Sequence, residues 1–259
     1  MHLNPIPIDV ESYPRPARAL AAQARKYTTP CADGTMSWHV WGEGDPLVLL
    51  HGGSGSWTHW LRNIEALASQ HMVWAADLPG LGESDMPAQP FDHGNLAGSV
   101  AHWGGIVADG IDQLVETPYH LAGFSFGSII GAHLAGARPQ RMRSMTVIGG
   151  ASMGMPWAGL RGRLRPMDDS MTEAECVAVQ AHNLGVMMLN NWDEIDETAG
   201  ALQLHNARRA RARSHPLASG DVLRNAIPNI KVPIGFIWGD ADIYALPDLA
   251  GRIDYLLKH

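Results

Sequence analysis

The sequence predicts an α/β fold built on a doubly wound, mostly parallel sheet with an inserted helical lid. From about residue 36, compact apolar runs alternate with longer amphipathic ones, which is typical of strands that alternate with helices. Most of these runs are continuously apolar, as expected of strands covered on both faces. The alternation stops between residues 151 and 228, where Met, Arg and Leu are frequent and no strand pattern is convincing. We therefore expect this segment to be a helical insertion.

Six apolar runs predict the strands, and they lie at residues 36–41, 46–50, 72–76, 119–122, 145–148 and 232–238. Helices are predicted at residues 15–26, along the apolar stripe from Leu96 to Leu114, at residues 128–137, and through Leu249, Ile253 and Leu256. Thr172 and Glu175 form a capping-box pattern that opens a further helix, which could run to Leu189. The resulting division is a prelude at 1–26, a core at 27–150 and 229–259, and a lid at 151–228.

The composition excludes several classes of function. The 259 residues carry a formal net charge of −7 and a pI of about 6.0, which disfavours a nucleic-acid partner. The apolar runs are too short to cross a membrane, and the N-terminus lacks the features of a secretory signal. Two cysteines, Cys31 and Cys176, favour reduced thiols in the cytoplasm. We expect a cytoplasmic protein that acts on a small-molecule substrate and has neither a nucleic acid nor a membrane as a partner. The sequence leaves open whether the chain forms a homo-oligomer.

The segment GFSFG, from Gly123 to Gly127, lies between a predicted strand and a predicted small-residue helix. This context is typical of a nucleophile elbow, in which a tight turn projects Ser125 above the sheet. The flanking glycines are needed because the turn leaves almost no room for side chains. The helix N-terminus stabilises negative charge beside the serine. We therefore predict that Ser125 is the nucleophile.

A second segment of the same pattern, GASMG, places Ser152 after another strand. Pro156 follows two residues after its last glycine, and no small-residue helix begins at this serine. The favoured interpretation of Ser152 is therefore a flexible exit from the sheet into the lid.

The segment HGGSGSW, beginning at His51, follows the strand at 46–50. Glycine suits a loop whose backbone must approach a substrate closely. A phosphate-binding loop is the rival interpretation. It fails because a dinucleotide fingerprint starting at Gly53 would need glycine where Thr58 stands, and no Lys-Ser/Thr pair follows.

Two further segments follow strands. DLPGLGESD, from Asp77 to Asp85, is interpreted as a structural loop that floors the pocket. WGDAD closes the last predicted strand and carries two carboxylates, Asp240 and Asp242. A carboxylate at this strand end suits the acid of a catalytic triad that is ordered Ser, Asp, His along the chain.

Taken in this order, the strand followed by HGG, then DLPGLGESD, GFSFG and WGDAD resemble the α/β-hydrolase superfamily over about residues 36 to 256. The HGGSG loop and the lid position most resemble the branch of carbon–carbon hydrolases of aromatic-ring catabolism and related carboxylesterases. Serine at the elbow departs from epoxide hydrolases and haloalkane dehalogenases, which have aspartate there. The resemblance implies hydrolysis through an acyl-enzyme or a related oxyanion intermediate, with no metal and no organic cofactor.

The resemblance also implies roles for individual residues. The backbone N–H groups of Gly53 and Phe126 would form the oxyanion hole. Asp242, three residues past Gly239, holds the usual position of the triad acid, and Asp240 is the fallback. The candidate substrate-binding residues are His51, Ser54, Met153, Trp157 and Met188.

The expected catalytic histidine is missing from its usual place. The only histidine after Asp242 is the last residue, His259. A helix of about 11 residues separates the two and would run roughly 16 Å away from the strand ends. We therefore expect His259 at the wrong edge of the sheet and this chain to lack the final strand and helix of the fold. His182, His205 and His215, in the lid, are weighed as substitute bases and are disfavoured.

Six lid residues predict an apolar pocket roof, with packing inside the lid as an equal alternative: Met153, Met155, Trp157, Met187, Met188 and Trp192. Four arginines could bind a substrate carboxylate or form a solvated helix face: Arg208, Arg209, Arg211 and Arg213. The leading hypothesis is a serine hydrolase that cuts a small ester or a C–C bond. The alternatives are a non-catalytic ligand-binding protein and a cofactor-free lyase or oxygenase on the same fold.

Overall fold

A computed structural model describes residues 4–212 and 215–259, and of His215 and Pro216 it describes the backbone only. Its strands are β1 Arg25–Cys31, β2 Gly34–Trp41, β3 Asp45–Leu50, β4 His71–Ala76, β5 Tyr119–Phe124, β6 Met142–Ile148 and β7 Ile234–Ile237. They form one sheet in the order β1-β2-β4-β3-β5-β6-β7. The pairs β1/β2 and β2/β4 are antiparallel, and the other four neighbouring pairs are parallel. The predicted mostly parallel α/β class is confirmed.

The helices are α1 Arg15–Ala21, α2 Leu61–Ala68, α3 Leu96–Leu114, α4 Phe126–Ala137, α5 Glu173–Met187, α6 Glu197–Arg209, α7 Val222–Ala226 and α8 Leu249–Leu256. Within the described part of residues 151–228 the regular structure is helical. The capping box at α5 is present, since the Thr172 N–H donates to the Glu175 carboxylate at 2.7 Å and the Glu175 N–H donates to the Thr172 hydroxyl. Among the described residues, none of the helices combines the length and the apolar composition that a transmembrane segment requires.

The sheet is covered on both faces, as its continuously apolar strands predict. Along β3, Val48 and Leu50 belong to a core formed with α3 and α4. Their neighbours Leu47 and Leu49 belong to a second core, which is formed with α1 and α2. Successive side chains of a strand point to opposite faces, so both sets must be apolar when both faces are buried.

The N-terminal segment differs from its prediction. The predicted helix from residue 15 to 26 ends at Ala21, and residues from Arg25 onward form β1. This strand has Thr-Thr at its centre and pairs along its full length with β2. Long-range pairing therefore decided the conformation, since β preference is expressed mainly through neighbours.

Candidate active site

Ser125 lies at the sharp turn between β5 and α4. Its φ of 49° and ψ of −110° are sparsely populated values for a residue with a side chain. The Ser125 N–H donates to the Ile148 carbonyl at 2.8 Å, which ties the turn to β6. Such strain costs about 1–3 kcal/mol and persists only when the surrounding structure enforces it. The turn therefore presents the Ser125 hydroxyl at the carboxyl edge of the parallel strands.

The two glycines of the elbow are required by close backbone approach. A Cβ on Gly123 would lie 2.6 Å from the Gly127 carbonyl oxygen. A Cβ on Gly127 would overlap the Leu50 carbonyl oxygen and lie 2.7 Å from that of His51. The start of α4 thus packs directly on the backbone at the end of β3. This packing brings the nucleophile turn and the HGG loop together.

The HGG loop passes over the elbow. A Cβ on Gly52 would lie 2.8 Å from the Phe124 ring and 3.4 Å from the Ser125 Cβ. Within the described ranges, the backbone N–H groups of Gly53 and Phe126 donate to no other group. Both residues line the same cavity as Ser125. Two free donors beside a serine hydroxyl form an arrangement that can hold an oxyanion.

Two buried side chains hold this loop in place. His51 Nδ1–H donates to the Gly52 carbonyl at 2.7 Å, and His51 Nε2 accepts the Leu78 N–H at 2.9 Å. The Asp77 carboxylate accepts the N–H groups of Trp57 at 2.7 Å and Glu83 at 2.9 Å. The DLPGLGESD loop therefore supports the HGG loop through hydrogen bonds.

Several buried histidines of the structure are neutral. Burial lowers the pKa of His39 and His51 to about 3, and of His59 and His205 to about 4. Burial has the opposite effect on the carboxyl of Asp77, raising its pKa to about 7. Below pH 6.5 the unfolded chain binds more protons at these histidines than the folded chain does, which favours unfolding. Between about pH 4 and 7 the folded chain binds more protons at Asp77 than the unfolded chain does, which favours folding. The effect of this one carboxyl is smaller than that of the four histidines.

Acidification is therefore expected to destabilise the protein. Between pH 6 and 5 the free energy of unfolding should fall by on the order of 2–4 kcal/mol. Urea unfolding at pH 7.5, 6.0 and 5.0 measures this change. A His205→Gln variant should flatten the dependence, whereas the same change at exposed His93 should not. A urea midpoint that stays constant with pH would refute the conclusion that the four buried histidines are neutral in the folded protein.

A cavity of about 620 Å³ opens over Ser125. Its polar lining comprises Ser54, His93, Ser125, Gln203, Asp242 and Tyr244, and its apolar lining includes Phe124, Phe126, Ile129, Ala151, Met187, Met188, Leu217 and Ala218. The elbow, the HGG loop, the segment after β7 and the helices between β6 and β7 all contribute. Such a mixture of apolar walls and a few convergent polar groups is typical of a small-molecule site.

The two candidate acids are placed differently. Asp242 lines the cavity with Ser125, and its carboxylate accepts the Tyr244 N–H at 2.9 Å. Asp240 is exposed and does not line the cavity. The geometry therefore favours Asp242 over Asp240, as the spacing from Gly239 predicts.

Three of the candidate substrate-binding residues lie away from the cavity. His51 is buried beneath the loop, where its ring nitrogens bind backbone groups. Met153 is buried in the core formed with α3 and α4. Trp157 stacks on Tyr244, with ring centroids 5.3 Å apart, and so contacts the cavity only through that residue. Ser54 and Met188 do line the cavity.

The predictions for the pocket roof and for the four arginines are also wrong in part. Of the six predicted roof residues, Met187 and Met188 line the cavity, and Trp192 is 47% exposed. Arg208 forms an ion pair with Glu173 at 2.9 Å, Arg209 contacts His205, and Arg211 donates to the Ser84 carbonyl. These three arginines do not line the cavity, and Arg213 lies outside the described residues.

In the part of the chain that is described, no histidine forms a hydrogen bond with Ser125, and neither His182 nor His205, named as substitute bases, lines the cavity. His182 contacts the Arg163 carbonyl, and His205 packs on Tyr13; the side chain of His215 lies outside the described residues. His259 stacks on Tyr255 at the end of α8 and does not line the cavity. His93, on the loop before α3, is the histidine among the described lining residues.

One group of side chains in the described ranges could offer ligands to a metal ion: His39, Asp77 and Glu83, whose ligand atoms lie within 4.8 Å of one another. The Lys26 ammonium lies 2.6 Å from the Glu83 carboxylate and already supplies a cation there. The Asp77 carboxylate is occupied by two backbone N–H groups. The donor set therefore fits a structural polar cluster better than a metal site.

Sequence reasoning missed several lining residues, notably Gln203, Tyr244 and His93. Gln203 lies on the buried face of α6, and a buried glutamine in an amphipathic helix is the signal that could have identified it. Tyr244 follows two residues after Asp242 on the same loop. His93 lies on a loop without a motif, so only the fold brings it to the cavity.

Comparisons with known proteins bear on the fold. A family model described as "alpha/beta hydrolase fold" matches residues 45–175, which is half of the chain. The chain is 40% identical over 111 residues to the dihydrolipoyllysine-residue acetyltransferase component of the acetoin cleaving system of Pseudomonas putida. That match covers 43% of this chain and 28% of the relative, so the chain spans well under half of that relative's length.

A longer match is to a pimeloyl-[acyl-carrier protein] methyl ester esterase of Vibrio parahaemolyticus. It is 27% identical over 237 residues, covering 86% of each chain. Among solved structures, a meta-cleavage product hydrolase is similar with a TM-score of 0.65 at 17% identity, over 89% of this chain and 96% of that one. At that identity the structural similarity supports the fold alone.

Proposed function

The chain belongs to the α/β-hydrolase fold family, and from this we propose that it is a serine hydrolase whose nucleophile is Ser125. The observation that carries the proposal is the strained Ser125 turn, facing two free backbone donors within one apolar cavity. Ser125 Oγ would attack the carbonyl carbon of an ester, and the N–H groups of Gly53 and Phe126 would stabilise the resulting oxyanion. Collapse of this intermediate would break the ester C–O bond and release the alcohol, and water would then cleave the acyl-serine bond to release the acid. The N-terminus of α4 adds a favourable dipole at the same point.

Asp242 is proposed as the acid of the triad, which orients and stabilises a histidine that accepts the serine proton. Its position on the cavity wall supports this role. In the described ranges no histidine bonds to Ser125, and the Asp242 carboxylate accepts the Tyr244 N–H. Added imidazole can take the serine proton in place of that histidine, so the base is tested separately from the nucleophile.

We propose a neutral, largely apolar ester as the substrate, in preference to cleavage of a C–C bond in an anionic substrate. Asp242 is the charged side chain among the described lining residues, and the walls are mostly apolar. A substrate carboxylate in this cavity would lose its hydration and meet a like charge, which is costly without a cationic partner. The similarity to a methyl ester esterase supports the same choice.

We further propose that residues 151–228 act as a lid over a core formed by 27–150 and 229–259. Met187 and Met188, at the end of α5, and Gln203, on α6, contribute to the cavity wall together with Leu217 and Ala218. A lid of this kind excludes bulk water from the site and shapes it for the substrate, while a single water enters to hydrolyse the acyl intermediate.

Labelling with a fluorophosphonate probe tests the nucleophile, because only an activated serine reacts readily. With imidazole added as the base that no described histidine supplies, the probe should label the protein at Ser125, and a Ser125→Ala variant should lose at least about nine-tenths of the label. Ser152→Ala is the matched control, since Ser152 belongs to the second G-x-S-x-G segment and its buried hydroxyl accepts the Val222 N–H at 3.1 Å. The control should retain its label.

The alternative hypotheses give different results in this experiment. A non-catalytic ligand-binding protein would resist the probe while still binding apolar esters. A lyase or oxygenase on this fold would convert substrate without forming a serine adduct. Labelling that persists in Ser125→Ala would refute the proposed nucleophile.

A further inference from the structure

A second, smaller cavity adjoins the one over Ser125. Its volume is about 240 Å³, and its walls include Thr58, His59, Leu184, Leu189 and Leu202. The two cavities share two wall residues, Met188 and Gln203. Met188 and Gln203 therefore lie between the space over the nucleophile and a neighbouring, more open space, whose walls also include the exposed residues Arg62 and Glu194.

The Gln203 side chain has no hydrogen-bond partner among the residues that the structure describes, although the residue is only 6% exposed. A primary amide offers two N–H donors and one carbonyl acceptor. The amide nitrogen and oxygen of Gln203 are not fully buried and are open to the cavities that the residue lines. A ligand that displaces water from this amide must replace its hydrogen bonds, because leaving a buried polar group unpaired costs about 1–3 kcal/mol. The amide therefore favours a ligand that carries a hydrogen-bonding group at this wall.

The position of Gln203 is fixed by its neighbour on α6. Asn206 lies one helical turn further along, on the same buried face, and is 1% exposed. Its side-chain oxygen accepts the Ser56 hydroxyl at 2.7 Å and the Thr58 hydroxyl at 3.1 Å. Asn206 thus anchors this face of the helix to the loop that carries Gly53. The Gln203 amide is held at a constant position relative to the oxyanion hole.

We propose that Gln203 is a specificity-determining residue, which binds an uncharged oxygen group of the substrate remote from the scissile ester. This inference rests on the proposed function and names the substrate class more closely: a neutral ester that carries a hydroxyl or carbonyl group at the far end of its acyl chain. A neutral group fits because Asp242 is the charge among the described lining residues. The apolar walls between Ser125 and Gln203 hold the intervening carbons.

Binding is measured in a Ser125→Ala background, so that the result does not depend on turnover. The probes are phenyl hexanoate and phenyl 6-hydroxyhexanoate, which differ by the terminal hydroxyl, and their Kd values are obtained by calorimetry. The hydroxylated ester should bind about tenfold more tightly, as one added hydrogen bond predicts. Gln203→Met should remove this preference while leaving the affinity for phenyl hexanoate within about twofold.

The matched control is Gln180→Met. Gln180 is also a buried glutamine on a lid helix, at 7% exposure, but its amide contacts Met167 and it does not line either cavity. This variant should keep the tenfold preference. If Gln203→Met fails to fold, the two probes are still compared on the Ser125→Ala protein, where equal affinities would overturn the proposal.

Equal affinities for the two probes, no binding of either, or a preference that survives Gln203→Met would each overturn the proposal. Fluorophosphonate labelling of Ser125 reads the proposed function independently. If the probe preference is absent but Ser125 is labelled, only the Gln203 proposal fails and the serine hydrolase assignment stands. If the preference and the label are both absent, both proposals fail.

Discussion

A Gly127→Ala variant is expected to lose about 3 kcal/mol or more of its free energy of unfolding. The added Cβ would overlap the Leu50 carbonyl oxygen and lie 2.7 Å from the His51 carbonyl oxygen, and both obstacles are backbone atoms. Neither can move without separating α4 from β3. Because whole domains are stable by only about 5–15 kcal/mol, this single methyl group would lower the melting temperature by roughly 10 °C.

Gly105→Ala provides the matched control for this change. Gly105 lies inside helix α3, and a Cβ there would meet no atom within 4 Å. Alanine at this position should raise the free energy of unfolding by about 0.5–1 kcal/mol, because glycine is a poor helix former. Thermal unfolding followed by circular dichroism measures both variants. Equal melting temperatures for the two variants would show that the elbow does not require glycine at position 127.

The second large effect concerns turnover by the 259-residue chain. Ser125 Oγ bonds to no histidine in the described ranges, and a serine hydroxyl is a weak nucleophile without a base. Hydrolysis of p-nitrophenyl butyrate should therefore be at least about 1,000-fold slower than the typical enzymatic kcat of about 10 s⁻¹. Added imidazole, at about 0.1 M, should raise the rate several-fold by accepting the serine proton.

The control for imidazole rescue is Ser125→Ala, which should show only the rate of imidazole in solution. Turnover near 10 s⁻¹ that depends on Ser125 but not on imidazole would contradict the prediction. It would mean that a histidine of this chain serves as the base. His93→Gln then tests the one histidine that lines the described cavity.

The sequence was sufficient for the features that depend on local patterns. The continuously apolar run of β3 indicates a strand that is buried on both faces, and β3 indeed divides its side chains between two cores. The glycines at 123 and 127 indicate close backbone packing, which the distances to the Gly127 and His51 carbonyls bear out. The capping box at Thr172 indicates the start of α5. Each of these features is encoded within a few residues.

Other features could not be read from local patterns. No strand was predicted at β1, and its first two residues, Arg25 and Lys26, were assigned to a helix. The strand conformation depends on pairing with β2, which a local pattern does not record. Met153 and Trp157 were predicted to line the pocket from their residue types alone. Met153 lies in the core, however, and Trp157 stacks on Tyr244. Apolar side chains suit a core and a pocket wall equally, so their chemistry does not distinguish the two environments.

The sequence by itself determined the fold class and the turn that carries Ser125, because the continuously apolar strand runs and the glycine spacing of the elbow are short-range properties. Only the tertiary structure decided which side chains share the cavity. Gln203 and Ser125 are 78 positions apart, and α6 carries no motif, yet the Asn206 hydrogen bonds to Ser56 and Thr58 fix that helix against the HGG loop. Such juxtapositions arise from packing between distant segments, which residue patterns along one segment do not record.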